Sequence, residues 1–138
     1  MVDINILTNK VNYIESNLKK LQILRQLTEE EFSDKFYYCG SAKYYLQTCI
    51  EAMIDIAHHI IARERFRAPE NYADAFVILE ENGIIPEEFV KKFKQMCKFR
   101  NRIVHIYHDI DDREIYKILM NDMDDIALFV RLTVNKYI

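Results

Sequence analysis

The chain has 138 residues, half of them hydrophobic, and a formal net charge of −3. That is one domain's length with enough apolar material for a core, and the charge excludes bulk attraction to nucleic acid. Two glycines and two prolines are too few for the turns of a sheet fold, so the expected fold is all-α: an up-and-down bundle of about five helices forming a single domain over residues 1–138.

In chain order, Ile4, Leu7, Val11, Ile14, Leu18 and Leu21 recur at three- and four-residue spacing, an a/d seam that wants a helical partner. Thr28 and Glu31 form a capping-box pattern that opens a second helix. Its apolar face continues through Leu46, Ile50, Met53, Ile54, Ala57, Ile60 and Ile61 to about Ala62, with Gly40 as its expected break. Arg63 to Pro69 is a polar connector. Asn71 caps a short third helix through about Glu81, and Asn82-Gly83 supplies a left-handed stop. Pro86 at the first helical position, with Glu87 and Glu88 in the first turn, starts a fourth helix that runs into the Arg100–His105 segment. The loop from His108 to Asp112 caps a last helix faced by Ile115, Leu119, Ile126, Phe129, Val130 and Thr133. No apolar run approaches the roughly 20 residues that span a bilayer, and no signal-peptide pattern opens the sequence. Cys39, Cys49 and Cys97 are an odd number without CxxC spacing. These features lead us to expect a cytoplasmic protein with free thiols and no membrane contact.

The fourth helix carries the most informative irregularity. Phe89, Phe93, Met96, Cys97, Ile103 and Val104 fall on one stripe, and Arg100 projects onto its centre. A guanidinium does not give up its charge, and burying it alone is costly, so Arg100 is paired or lines an interface or site. Residues 91 to 102 hold Lys91, Lys92, Lys94, Lys98, Arg100 and Arg102 and no acid. Such a helix can bind phosphates locally on an acidic protein, although a solvated lysine face has the same composition. His105 is suited to proton transfer near neutral pH. It lies about 140° around the helix from Arg100, so the two converge only if the helix bends or a second copy supplies one of them. Asn101 shares a face with His105.

Glu51, Asp55, His58 and His59 have spacing that could hold a metal, but Glu51 or Asp55 is better read as partner to Arg100 or Arg102, or as a support for His105. Asp109, Asp111 and Asp112 lack the glycine and distal glutamate of an EF-hand and read as helix capping. There is no P-loop or GxGxxG. Gly40-Ser41 lacks the Asp-x-Asp that nucleotide transfer would need. Tyr37-Tyr38 and Tyr44-Tyr45 are expected to pack rather than to stack bases.

Arg100-Asn101, His105 and Tyr107 together resemble the R-x4-H-x-Y motif of HEPN domains, specifically the HepT-like toxins of prokaryotic toxin–antitoxin pairs. The run from Ile50 to Ile60, the helix layout and the chain length resemble that family too. The resemblance implies a homodimeric, metal-independent endoribonuclease with no cofactor of its own, whose two motif segments meet in a cleft between the copies. In it His105 serves acid–base chemistry on the ribose 2′-hydroxyl, Arg100 stabilises charge on the phosphoryl group and Asn101 orients. Lys94, Lys98 and Arg102 hold the RNA backbone, and the product ends in a 2′,3′-cyclic phosphate. A cognate antitoxin, an MNT-domain nucleotidyltransferase, silences such a toxin by moving AMP from ATP onto the motif tyrosine, here Tyr107. The unclaimed seam on helix one agrees with a dimer. Two other readings compete: a non-catalytic helical subunit binding nucleotide or acceptor for a partner nucleotidyltransferase, and a scaffold in which Arg100 is merely paired with Glu51 or Asp55.

Overall fold

A computed structural model of the chain describes residues 1–106 and 110–138. Within them lie six α-helices: α1 (Ile4–Arg25), α2 (Glu29–Asp34), α3 (Phe36–Arg63), α4 (Tyr72–Glu81), α5 (Glu87–His105) and α6 (Asp112–Tyr137). No strand occurs among the described residues. Tyr107, His108 and Asp109 lie outside them.

The long α3 is the axis of the bundle and packs against α1, α4, α5 and α6. The seam on α1 is spent here. Leu7, Val11, Ile14 and Leu21 are buried where α1 lies along α3 and touches α6, while Ile4 stays 54 % exposed. The seam is therefore not free to hold a second copy, and that argument for a dimer falls. Asn17 is buried within it and donates to Thr48 Oγ1 at 3.1 Å, a polar pair that fixes the register of α1 on α3.

The capping box forms as expected: Thr28 Oγ1 accepts from the Glu31 N–H at 3.1 Å, and Glu31 Oε1 from the Thr28 N–H at 2.9 Å. The helix it starts is nevertheless short. Lys35 is extended (φ −118°, ψ 123°) and separates α2 from α3, whereas Gly40 is an ordinary residue of α3. This makes six helices where five were expected. The break re-aims the chain. It lets Phe32 bury completely with its ring 5.4 Å from that of Tyr116 on α6, while α3 turns Cys39, Ala42 and Leu46 into the core.

Phe76, Phe93 and Phe129 join α4, α5 and α6, with ring centroids 5.5 to 5.7 Å apart. Pro86 stands one position before α5 rather than at its first. Val104 was placed on the apolar stripe but is exposed, because the stripe outruns its cover at the end of the helix. Asp111 caps α6 by accepting from the Glu114 N–H. Among the described residues no helix is long and apolar enough to cross a membrane.

Candidate active site

Helix α5 brings Arg100 against α3 and α4. The Arg100 side chain is 17 % exposed and its Nη2 donates to Glu51 Oε2 at 3.1 Å. Glu51 Oε1 is fixed in turn by Gln47 Nε2 at 3.1 Å. Arg100 Nη1 donates to Asn101 Oδ1 at 3.2 Å, and the guanidinium carbon stands 5.3 Å from the centre of the Tyr72 ring, a cation–π distance. The expected carboxylate partner is thus Glu51. Asp55 does not reach Arg100. It takes Lys10 Nζ at 3.0 Å instead. Arg102 goes to neither acid of α3 but to Glu114, which grips it with both oxygens, Nη2 to Oε2 at 3.0 Å. Neither Glu51 nor Asp55 bonds to His105 among the described residues.

His105 is the last residue of α5 and is exposed. Lys94, Lys98 and Asn101 precede it by 11, 7 and 4 positions, which places all four on one side of the helix. All four are exposed. The helix stops at Ile106 (φ −137°, ψ 51°); five positions apart, Arg100 and His105 project about 140° from each other on it, Arg100 onto Glu51 and Tyr72 and His105 exposed. One chain therefore presents the two motif residues in different directions, with Asn101 between them. Tyr107 falls outside the described residues.

Two features escaped the sequence reading. Tyr72 carried no signal beyond following the Asn71 cap, yet its ring flanks Arg100 and lies 5.8 Å from that of His58. A cavity of about 210 Å³ is lined by Glu51, Ile54, Asp55, His58, Tyr72 and Arg100. A second, of about 430 Å³, shares Glu51 and Asp55 and extends over Lys10, Tyr13 and Thr48. His59 turns away from both and accepts the Asp3 N–H at Nε2, 3.0 Å; burial pushes its pKa down. The two histidines therefore do not share a metal-binding face. Burial raises all three cysteine thiols to about 12. Tyr37 and Tyr44, expected to pack, are exposed.

An all-helical bundle that presents an arginine, the adjacent asparagine and a terminal histidine at the C-terminal end of one amphipathic helix is a HEPN-type domain. The chain belongs to the ribonuclease HepT-like family, whose profile matches residues 14–132. It is 28 % identical over 126 residues to the mRNA nuclease HepT of Shewanella oneidensis, covering 91 % of this chain and 94 % of that one. It is 25 % identical over 133 residues to the tRNA nuclease HepT of Aphanizomenon flos-aquae, covering 96 % and 90 %. The fold superposes at a TM-score of 0.89, with 26 % identity, on the tri-AMPylated Shewanella oneidensis HEPN toxin in complex with an MNT antitoxin, covering 97 % of this chain and 100 % of that one.

Proposed function

We propose that this chain is the toxin of a type VII toxin–antitoxin pair, an endoribonuclease that cuts cytoplasmic RNA as a homodimer. The observation that carries the reading is the held guanidinium: Arg100 is fixed by Glu51 and Tyr72 on the same α5 that exposes Lys94, Lys98, Asn101 and His105, in a family of ribonucleases. A pre-positioned cation of this kind stabilises charge that builds up on a phosphoryl group without reorganising at the moment of reaction.

His105 takes the proton of a ribose 2′-hydroxyl. The 2′-oxygen attacks the adjacent phosphorus while Arg100 balances the gathering charge, and Asn101 holds the guanidinium in line. The bond from phosphorus to the 5′-oxygen breaks, and that oxygen leaves as a hydroxyl after taking up a proton. The RNA is left with a 2′,3′-cyclic phosphate. The nucleophile belongs to the substrate, so the route needs neither an external water nor a metal to activate one. Lys94 and Lys98 hold the backbone as it approaches. Arg102 contributes charge while Glu114 keeps its fork occupied. Since Arg100 and His105 of one chain face apart, the working pair is one residue from each copy.

Silencing follows from charge. AMP moved from ATP to Tyr107 by a nucleotidyltransferase antitoxin adds a bulky anion two residues from His105 and repels the substrate phosphate. The solved relative supports this reading, since it is AMPylated and bound to an MNT antitoxin. Induced alone in cells, the wild type is expected to arrest growth and the His105→Ala variant to leave it unaffected. Co-expressed with such an antitoxin, the wild-type chain is expected to gain AMP-sized mass increments that Tyr107→Phe does not. Growth arrest by His105→Ala would contradict the catalytic reading, and equal modification of Tyr107→Phe would contradict the silencing one.

A further inference from the structure

The cavity of about 210 Å³ beside Arg100 has unused bonding capacity on its walls. His58 Nε2 and Arg100 Nε are buried and bond to nothing among the described residues, although buried polar atoms are almost always satisfied. Asp55 uses Oδ2 on Lys10 at 3.0 Å, and with its side chain 55 % exposed its Oδ1 stands at the open edge of the cavity, free to accept from water or a ligand. Tyr72 is 42 % exposed and offers a flat apolar surface at the rim. The cavity is smaller than the roughly 300 Å³ at which drug-sized pockets begin. It has room for one planar ring, not for a dinucleotide.

Charge narrows the occupant further. Two carboxylates, Glu51 and Asp55, face one guanidinium around this space, so a phosphate inside it would be repelled. A neutral, planar group with a hydrogen-bond donor suits it. We infer that the cavity is a nucleobase subsite: it receives the base adjacent to the phosphate that Arg100 holds, stacked on Tyr72, with Asp55 Oδ1 accepting from the exocyclic amino group. His58 Nε2 supplies a second contact to the base edge. Stacking on an aromatic ring holds a base and tolerates every base, since each has a π-face. The carboxylate selects by position: it meets the exocyclic amino group that adenine, cytosine and guanine carry, whereas uracil offers only its ring N3–H, set further back on the base edge. This inference rests on the reading that Arg100 meets an RNA phosphate.

The test measures binding in a chain that cannot cut. In the His105→Ala background, fluorescence anisotropy with short labelled oligo-A, oligo-C and oligo-U should show the first two binding about tenfold tighter than the third, one hydrogen-bonded base contact's worth. Adding Asp55→Ala should abolish that preference. Adding Tyr72→Ala should weaken binding to all three oligomers, and Tyr72→Phe should restore it. Equal affinities in the background, a preference unchanged by Asp55→Ala, or no binding up to millimolar protein would each overturn the subsite. A separate cleavage assay on the wild type keeps the two ideas apart. If the base preference holds but RNA is not cut, the subsite stands and the catalytic reading fails. If RNA is cut without the preference, the reverse follows.

Discussion

Arg100 was conspicuous in sequence because a permanent charge sat in the middle of an apolar stripe, and the structure answers with Glu51 at 3.1 Å. The sequence offered two acids a turn apart on the second helix. Only packing decides between them, since both lie on the side of α3 that α5 approaches. Asp55 projects further outward and meets Lys10 of α1. Tyr72 was not legible at all, because a ring beside an arginine leaves no spacing pattern when the two lie on different helices, and His58 was read only as part of a metal-binding spacing, not as a neighbour of that ring. Residue-level electrostatics also yields a pH prediction. Burial first, then the neighbouring Asp125, raises the Asp122 carboxyl to about 6, while Lys92 opposes the shift. The folded chain then binds more protons than the unfolded one between that value and the ordinary 3.8. Asp122 costs nothing below pH 4 and destabilises increasingly as pH rises through 6. Asp122→Asn should therefore raise stability at pH 7.5, by on the order of 1 kcal/mol given its partial exposure, and change little at pH 4. Urea unfolding at the two pH values checks this.

At the scale of elements, helix starts were well marked. Thr28, Asn71 and Asp111 all cap with side-chain oxygens, and such residues announce themselves locally. The break at Lys35 did not, because nothing in the Asp34–Phe36 sequence stops a helix. It is imposed by where Phe32 must bury, a tertiary cause, whereas Gly40 tolerates the helix it was expected to end. Helix ends show the same contrast. α4 closes with the Ile84 N–H on the Leu79 carbonyl at 2.8 Å and the Gly83 N–H on that of Glu80 at 3.0 Å. Gly83 takes φ +73°, the left-handed residue this motif requires. α3 closes in the same way, with the Phe66 N–H on Ile61 at 3.0 Å and the Arg65 N–H on Ala62 at 3.4 Å, but here an arginine holds φ 58°. A side chain in that region is strained. Arg65→Gly should stabilise the protein by roughly 0.5–1 kcal/mol, net of the entropy glycine adds to the unfolded chain. An unchanged or lower unfolding midpoint would show that the α3 terminus carries no such strain.

The whole molecule turns on one geometric fact: Arg100 faces α3 and α4, while His105 faces solvent along the Lys94–Lys98–Asn101 stripe. With the α1 seam spent inside the bundle, the case for a dimer rests on this divergence. It makes a mixing experiment informative. Arg100→Ala and His105→Ala chains, each inactive alone, should regain a substantial fraction of activity when unfolded together and refolded as a mixture, because one composite site then holds an intact arginine and an intact histidine. No recovery, with mixed dimers verified by mass, would mean that the two residues act within a single chain.

The most direct test of the central claim is an RNase assay in excess EDTA, comparing wild type, Arg100→Ala and His105→Ala on mixed RNA, with product ends identified. The account predicts metal-free cleavage by the wild type to 2′,3′-cyclic phosphate ends, and a loss of roughly 10²-fold or more in each variant. Arg100→Ala should cost only about 1 kcal/mol of stability, since Glu51 keeps Gln47 and some solvent. Cleavage that survives either substitution, or that needs an added metal, would contradict it.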